Sequence, residues 1–271
     1  VIVFDPHPIF APDDPVAVDC YRDAIRALRD AGIDYLIGGA YSFARYTGIA
    51  RDTKDLDVFL RPRDRDRALA ALAAIGFETE VTYSHWLAKA RRGENFIDLI
   101  HSSGNSIAPV DDGWFVHAVE GEVVGERVRL CPAEESLWSK AFIMERNRYD
   151  GADVAHILRA CGDRLDWPRL LKRFGPNWPV LYSHVILFAY VYPSERDRVP
   201  AWVMRELGVR LAVELAGRPK DERICRGTLL AAVQYLPDVE GWGYDDARQP
   251  PHGPLTPDQV RDWTDGVLTG R

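Results

Sequence analysis

Residues 55–60 read Asp-Leu-Asp-Val-Phe-Leu, which sets two carboxylates one residue apart inside an apolar run. A strand alternates its faces, so Asp55 and Asp57 project together while Leu56 and Val58 turn into a core. Like charges this close repel and raise each other's proton affinity. A divalent cation between them removes the conflict. Hard cations such as Mg²⁺ prefer carboxylate oxygens together with substrate phosphate. The plainer alternative is that one aspartate is solvated at a strand end.

The residues just upstream favour the ligand reading. A short apolar strand, "IDYLIGG", ends in Gly38-Gly39, and "AYSFARYTG" reads as a brief helix stopped by Gly48. Glycines at a strand-to-helix turn let the backbone approach a ligand closely. The amides at a helix start favour an anion such as phosphate. An ordinary tight turn is the competing explanation.

A third carboxylate, Asp98, lies inside the apolar run "FIDLI". The segments "HWLAKARR" and "ENFIDLIHS" flank Gly93, which signals a hairpin. A turn at Gly93-Glu94 puts Lys89 opposite Asp98, with His85 on the same face. Asp98 then either completes a two-metal carboxylate set and accepts a proton from an attacking hydroxyl, or is simply a buried acid paired with Lys89.

The wider pattern changes character near residue 131. Residues 1–15 read as an irregular Pro- and Asp-rich lead-in, followed by a helix over "DPVAVDCYRDAIRALRDAG". Strand and helix signals alternate through residue 131, with short strands around "WFVHAVEGEVVGERVRLC". Beyond it the apolar spacing is helical. The expectation is an α+β fold: a mixed β-sheet with helices over residues 1–131, an all-helical domain over 132–235, and an extended Pro/Gly-rich tail with a short terminal helix over 236–271.

"LIGGAYSFARYTGIARDTKDLDVFL", with the later Asp98, resembles the DNA polymerase β-like nucleotidyltransferase superfamily. That superfamily carries Gly-Gly or Gly-Ser after an apolar residue, a spacer, Asp-apolar-Asp, and a later Asp on a neighbouring strand. The spacer here is slightly long. The run Arg51 to Asp57 looks like that of small-substrate and toxin-type members. The resemblance covers roughly residues 30–105, and more weakly the helices up to about residue 160. It implies two Mg²⁺ ions on Asp55, Asp57 and Asp98, and an NTP, ATP among the candidates, beside Gly38 and Gly39. It implies phosphate contacts from Arg51 and Lys54, and transfer of NMP to a hydroxyl with release of pyrophosphate. Related enzymes place a Lys and an Asp on helices facing the triphosphate, which points to Lys140, with Asp153 orienting a basic group. Helix capping by Arg146, Arg148, Asp150 and Asp153 would explain the same charges.

Composition narrows the acceptor. The 271-residue chain has a net charge of −7, which favours a small-molecule or protein acceptor over nucleic acid. No apolar run is long enough to span a membrane, no signal peptide is evident, and the four scattered cysteines lack metal-ligand spacing. A cytoplasmic enzyme is expected. Two rivals stay open: a nucleotide-binding or regulatory protein without turnover, and a toxin acting on tRNA or protein beside an antitoxin partner. Of the other features, "RPRDRDR" over 61–67 reads as a solvated face. Trp138, Trp178 and Trp202 read as core, and "HVILFAYVY" reads as a buried helix.

Overall fold

The computed structural model describes residues 14–51, 53, 55–218 and 221–270. The helix α1 (Pro15–Asp30) starts where Asp14 accepts a hydrogen bond from the Val16 amide, with proline in its first turn. There follow β1 (Tyr35–Ile37), α2 (Gly39–Thr47), β2 (Asp55–Leu60), α3 (Arg65–Ala73), β3 (Glu78–Tyr83), β4 (Leu87–Arg92) and β5 (Asn95–Ile100). Next come α4 (Asp112–Val116), β6 (Val119–Val123) and β7 (Glu126–Leu130). The chain continues through α5 (Ala133–Ala141), α6 (Gly151–Cys161), α7 (Trp167–Phe174), α8 (Trp178–Val191) and α9 (Ala201–Ala216). It ends with β8 (Ile224–Cys225), α10 (Leu236–Glu240), β9 (Asp245–Asp246) and α11 (Pro257–Thr269).

The architecture is α+β, as the residue pattern predicts. Seven strands form one mixed sheet in the order β3-β4-β5-β2-β1-β7-β6. The β2–β5 and β1–β7 pairs are parallel and the others antiparallel. One unit comprises Val1–Pro132 with Leu255–Asp265; the other comprises Ala133–Pro254 with Gly266–Arg271.

In the first unit, the alternation of β2 and β5 does the organising. Leu56, Val58, Leu60, Ile97 and Leu99 are fully buried in one cluster with Tyr21, Ala24, Ile25 and Leu28 of α1 and Ala68 and Leu72 of α3. Fully burying one such aliphatic side chain stabilises by about 1.5–3 kcal/mol. This one-sided packing leaves the other face of β2 and β5 to their odd and even partners respectively, which include all three aspartates. The segment 112–116, expected among strands, is helical instead. Asp111 caps it by accepting from the Gly113 amide, and Trp114 and Phe115 are buried.

The second unit is mostly helical. Glu135, fully buried on α5, is gripped by Arg169 and Arg173 of α7, with the Arg173 Nε 3.0 Å away. Arg169 also holds Glu134 at 2.6 Å. The stretch from 236, expected as an extended tail, contains α10 and a β9 strand paired with β8. There Asp246 receives the fully buried Arg248 guanidinium through two nitrogens, one of them at 2.6 Å. The proline-rich lead-in falls largely outside the described residues.

Four further expectations need correction. Trp138 is buried, but Trp202 is 42 % exposed. The helix α8 is buried on one side only, with Ile186, Leu187 and Tyr190 exposed. Arg146 and Arg148 do not end a helix: α5 stops at Ala141, and they lie in a turn closed by a bridge between Met144 and Tyr149. Arg61 is no freely solvated charge either, since it pairs with Asp34 and Asp112 and lies over the Phe115 ring.

Candidate active site

Register brings the three carboxylates together. Asp57 on β2 stands opposite Asp98 on the parallel strand β5, and Asp55 stands opposite Phe96. One ligand oxygen from each of Asp55, Asp57 and Asp98 lies within 4.8 Å of the others. All three side chains are half-buried. Thr53 secures the first of them, its hydroxyl donating to the Asp55 carboxylate and, at 3.2 Å, to the Asp55 carbonyl.

The hairpin forms as its residues predict. Gly93 turns with φ of 62°, and Lys89 pairs with Asp98 across β4 and β5. The Lys89 Nζ lies 3.7 Å from Asp98 Oδ1, an ion pair too long for a hydrogen bond. That oxygen is buried and has no hydrogen-bond partner among the described residues. Burial raises the Asp98 pKa, Lys89 pulls it back down, and the Asp55 charge adds a further rise. A buried carboxylate oxygen without a donor, beside two more carboxylates, suits a cation with all-oxygen ligands. The donor set therefore fits Mg²⁺.

The glycines serve this cluster in a way the sequence did not suggest. Gly39 adopts φ of +52°, and a Cβ there would fall 1.6 Å from Asp57 Oδ2. A Cβ on Gly38 would fall 2.3 Å from the Phe59 ring. The Gly38 amide donates to the Asp57 carbonyl at 3.0 Å. The missing side chains thus make room for Asp57 and Phe59, drawing the start of α2 onto β2. Phe59 in turn stacks on Trp114 at 5.3 Å between centroids.

The other candidate residues are placed as follows. The Arg51 guanidinium lies 4.3 Å from the centre of the Phe43 ring of α2. Lys54 lies outside the described residues. Lys140, in the second unit, is held by Asp153 at 2.7 Å and Asp150 at 3.0 Å. Asp150 makes no capping hydrogen bond to α6. His85 does not share the Asp98 strand face; it sits in the turn before β4, its Nε2 3.0 Å from the Gly104 carbonyl.

Two features escaped the sequence reading. The buried Tyr21 and Tyr41 hydroxyls have no hydrogen-bond partner among the described residues. Burial raises the pKa of both, and the Asp55 and Asp57 charges raise them further. Both phenols therefore stay protonated within electrostatic reach of the carboxylates. The second feature is a pair of rows across the sheet. One runs Asp57–Asp98–Lys89–Glu80 and the other Asp55–Phe96–Arg91–Glu78. The outer part of these rows floors an open groove of about 370 Å³ lined by Glu78, Thr79, Glu80, Lys89, Arg91 and Phe96. Recognising the rows needs both strand registers at once, and β3 carries little apolar signal to fix its own.

Residues 17–175, more than half of the chain, match the model of a family described as uncharacterised nucleotidyltransferase. No curated protein matches the chain. Among solved structures the chain is similar to the antibiotic-resistance factor ANT(2'')-Ia, with 18 % identity over 63 % of this chain and 97 % of that one and a TM-score of 0.45. It is similar to the lincosamide antibiotic adenylyltransferase LnuA, with 13 % identity over 51 % and 94 % and a TM-score of 0.39. It is also similar to JHP933 from Helicobacter pylori, with 10 % identity over 74 % and 96 % and a TM-score of 0.39. No helix among the described residues is long and apolar enough to cross a membrane.

Proposed function

The chain belongs to this family of nucleotidyltransferases, and from that membership we propose that it moves an NMP group from an NTP onto a hydroxyl of a small-molecule acceptor, releasing pyrophosphate. The observation that carries the reading is the convergence of Asp55, Asp57 and Asp98, with ligand oxygens within 4.8 Å of one another.

The three carboxylates would hold divalent metal, and Mg²⁺ is the ion their chemistry favours. When bound, such metal neutralises phosphate charge and stabilises the attacking and leaving oxygens. The residues around it divide the site into two sides. On the β1 side, Gly38 and Gly39 bring the start of α2 beside Asp57, and its free amides suit a phosphate. Arg51, against Phe43 of α2, adds positive charge on the same side.

On the β4 side lies the groove. In-line displacement needs the attacking oxygen and the leaving pyrophosphate on opposite sides of phosphorus. An acceptor lying over Phe96, Lys89 and Arg91 meets that need, with its hydroxyl beside Asp98. Asp98 takes the proton as the new O–P bond forms and the bond to pyrophosphate breaks. A groove of about 370 Å³ has the size of a small-molecule site. The net charge of −7 gives a nucleic-acid acceptor no general attraction.

The test is calorimetric titration of each NTP with and without Mg²⁺, on the wild type and on the Asp55→Ala/Asp57→Ala double variant, followed by an assay of pyrophosphate release with mixed hydroxyl compounds. Mg²⁺-dependent binding that disappears in the variant supports the reading. Absence of binding by every NTP to well-folded protein overturns it. Binding without pyrophosphate release from any acceptor favours the rival role without turnover.

A further inference from the structure

Lys89 is held loosely, whereas other buried carboxylates of this chain are held tightly. In the helical unit Asp246 receives two nitrogens of Arg248 at 3.0 and 2.6 Å, and Glu135 receives the Arg173 Nε at 3.0 Å. Charge-assisted hydrogen bonds of that kind fix the geometry of both partners. Asp98 has instead the Lys89 ammonium, 3.7 Å from an oxygen to which no described residue donates. The Phe96 ring centre is 5.9 Å from that ammonium, at the outer limit of a cation–π contact. Lysine carries its charge on a flexible stem, so a pair made this way can be exchanged where an arginine fork cannot. A second carboxylate stands on the far side of Lys89. Glu80 is directly opposite it in the β3–β4 register, as Asp98 is in the β4–β5 register. Glu80 is exposed and accepts from the Thr82 hydroxyl at 3.1 Å. Among the described residues, Asp98 is the one carboxylate in ion-pair contact with Lys89.

We propose that Lys89 is an exchangeable counter-ion: its ammonium balances Asp98 before metal binds and turns to Glu80 as Asp98 takes up a divalent cation. This rests on the metal reading of the three carboxylates given above. The exchange has two consequences. A free cation must compete with Lys89 as well as with its own water, so the site fills readily only when substrate phosphate adds further ligands. Lys89 then stands beside Arg91 on the groove floor, and its charge faces the acceptor once the carboxylates are loaded. A fixed positive charge would also weaken metal binding, so Glu80 is what separates exchange from simple repulsion. If Lys89 moves, Glu80 acts through it. If Lys89 stays, the charges at 80 and 89 act independently and their effects add.

The experiment is Mn²⁺ binding without nucleotide, read by electron paramagnetic resonance on the full chain. It compares the wild type, Lys89→Met, Glu80→Gln and the double variant. Arg91→Met controls for loss of charge from the same strand face, and Asp57→Ala locates the ion. Glu80 is exposed, so its variant keeps the fold, and circular dichroism checks the others. Lys89→Met should bind Mn²⁺ at least about tenfold more tightly than the wild type, the size of one charge ~4 Å away in a partly buried setting. Arg91→Met, which breaks an exposed pair with Glu78, should change binding by less than about threefold. Glu80→Gln should weaken binding by about threefold, the size of one cross-strand charge pair, and should have no effect in the Lys89→Met background. Additive effects at 80 and 89 overturn the proposal. So does Mn²⁺ binding that is lost in Asp57→Ala yet equal in the wild type and Lys89→Met, and in both cases the metal reading survives. No Mn²⁺ binding by any form overturns the proposal and the metal reading together.

Discussion

Asp57 and Asp98 stand opposite each other on two parallel strands, with ligand oxygens within 4.8 Å of one another and of Asp55. Like charges placed this close repel one another. Replacing Asp98 with Asn relieves that repulsion and the cost of burying a carboxylate while giving up the 3.7 Å pair with Lys89, so stability should change by less than about 1 kcal/mol. The same change should reduce nucleotidyl transfer by at least about a hundredfold, since a metal-holding carboxylate is lost. Thermal unfolding measured beside turnover checks this. A variant that is destabilised yet still active would mean the pair is structural.

Gly39 and Asp57 should be energetically coupled. A methyl group at residue 39 meets both the positive φ and the Asp57 carboxylate. Gly39→Ala should therefore cost about 2–4 kcal/mol, roughly 1 kcal/mol from backbone strain and the rest from overlap. In an Asp57→Ala background the carboxylate is gone and only the Asp57 Cβ remains, 3.0 Å away. The cost there should fall to about 1 kcal/mol. A double-mutant cycle by urea unfolding measures the difference. Purely additive effects would refute the coupling.

That coupling also shows what was legible in the sequence. Alternation in residues 55–60 sets Asp55 and Asp57 on one face, and the hairpin at Gly93 sets Lys89 opposite Asp98, because strand period and turn chemistry are local; that Asp98 lies on a strand beside Asp57 came only from the family resemblance. The role of the glycines was not legible. Gly38 and Gly39 are expected beside a phosphate, but their missing side chains also make room for side chains 21 and 18 residues away along the chain (Phe59 and Asp57). Tertiary proximity of that kind leaves no local trace. Trp202 failed for a related reason: helical spacing names a face without saying whether anything covers it. The segment after residue 236 failed because its order comes from Asp246 holding a buried Arg248, and a Pro- and Gly-rich composition hides such a pair.

The unpaired hydroxyls of Tyr21 and Tyr41 yield a two-way prediction. Each is buried without a hydrogen-bond partner among the described residues, so removing the oxygen should not destabilise the fold. Tyr21→Phe and Tyr41→Phe are expected to change stability by less than about 1 kcal/mol, in the stabilising direction. Urea unfolding checks this. A loss of about 2 kcal/mol or more in either variant would show that its hydroxyl makes a buried hydrogen bond in solution.

His101 should make the fold sensitive to acid. It is buried at the end of β5 with its Nε2 unpartnered among the described residues. Burial, then the positive charge of Arg65 and His85, pushes its pKa from 6.5 down to about 4, with Asp66 opposing weakly. Between those values the unfolded chain binds a proton that the folded chain does not. Stability therefore rises with pH through this window, is fully present above 6.5, and is lost progressively on acidification towards 4. The loss should reach at most about 3 kcal/mol. Asp98 lies three residues upstream, on the strand that His101 directly follows. His101→Phe removes the titrating group while keeping a buried ring. Unfolding free energies measured in urea at several pH values should fall steeply for the wild type between 6.5 and 4, and less steeply for the variant. Equal slopes would mean that His101 is charged in the folded protein, or solvated, and that the acid sensitivity has another source.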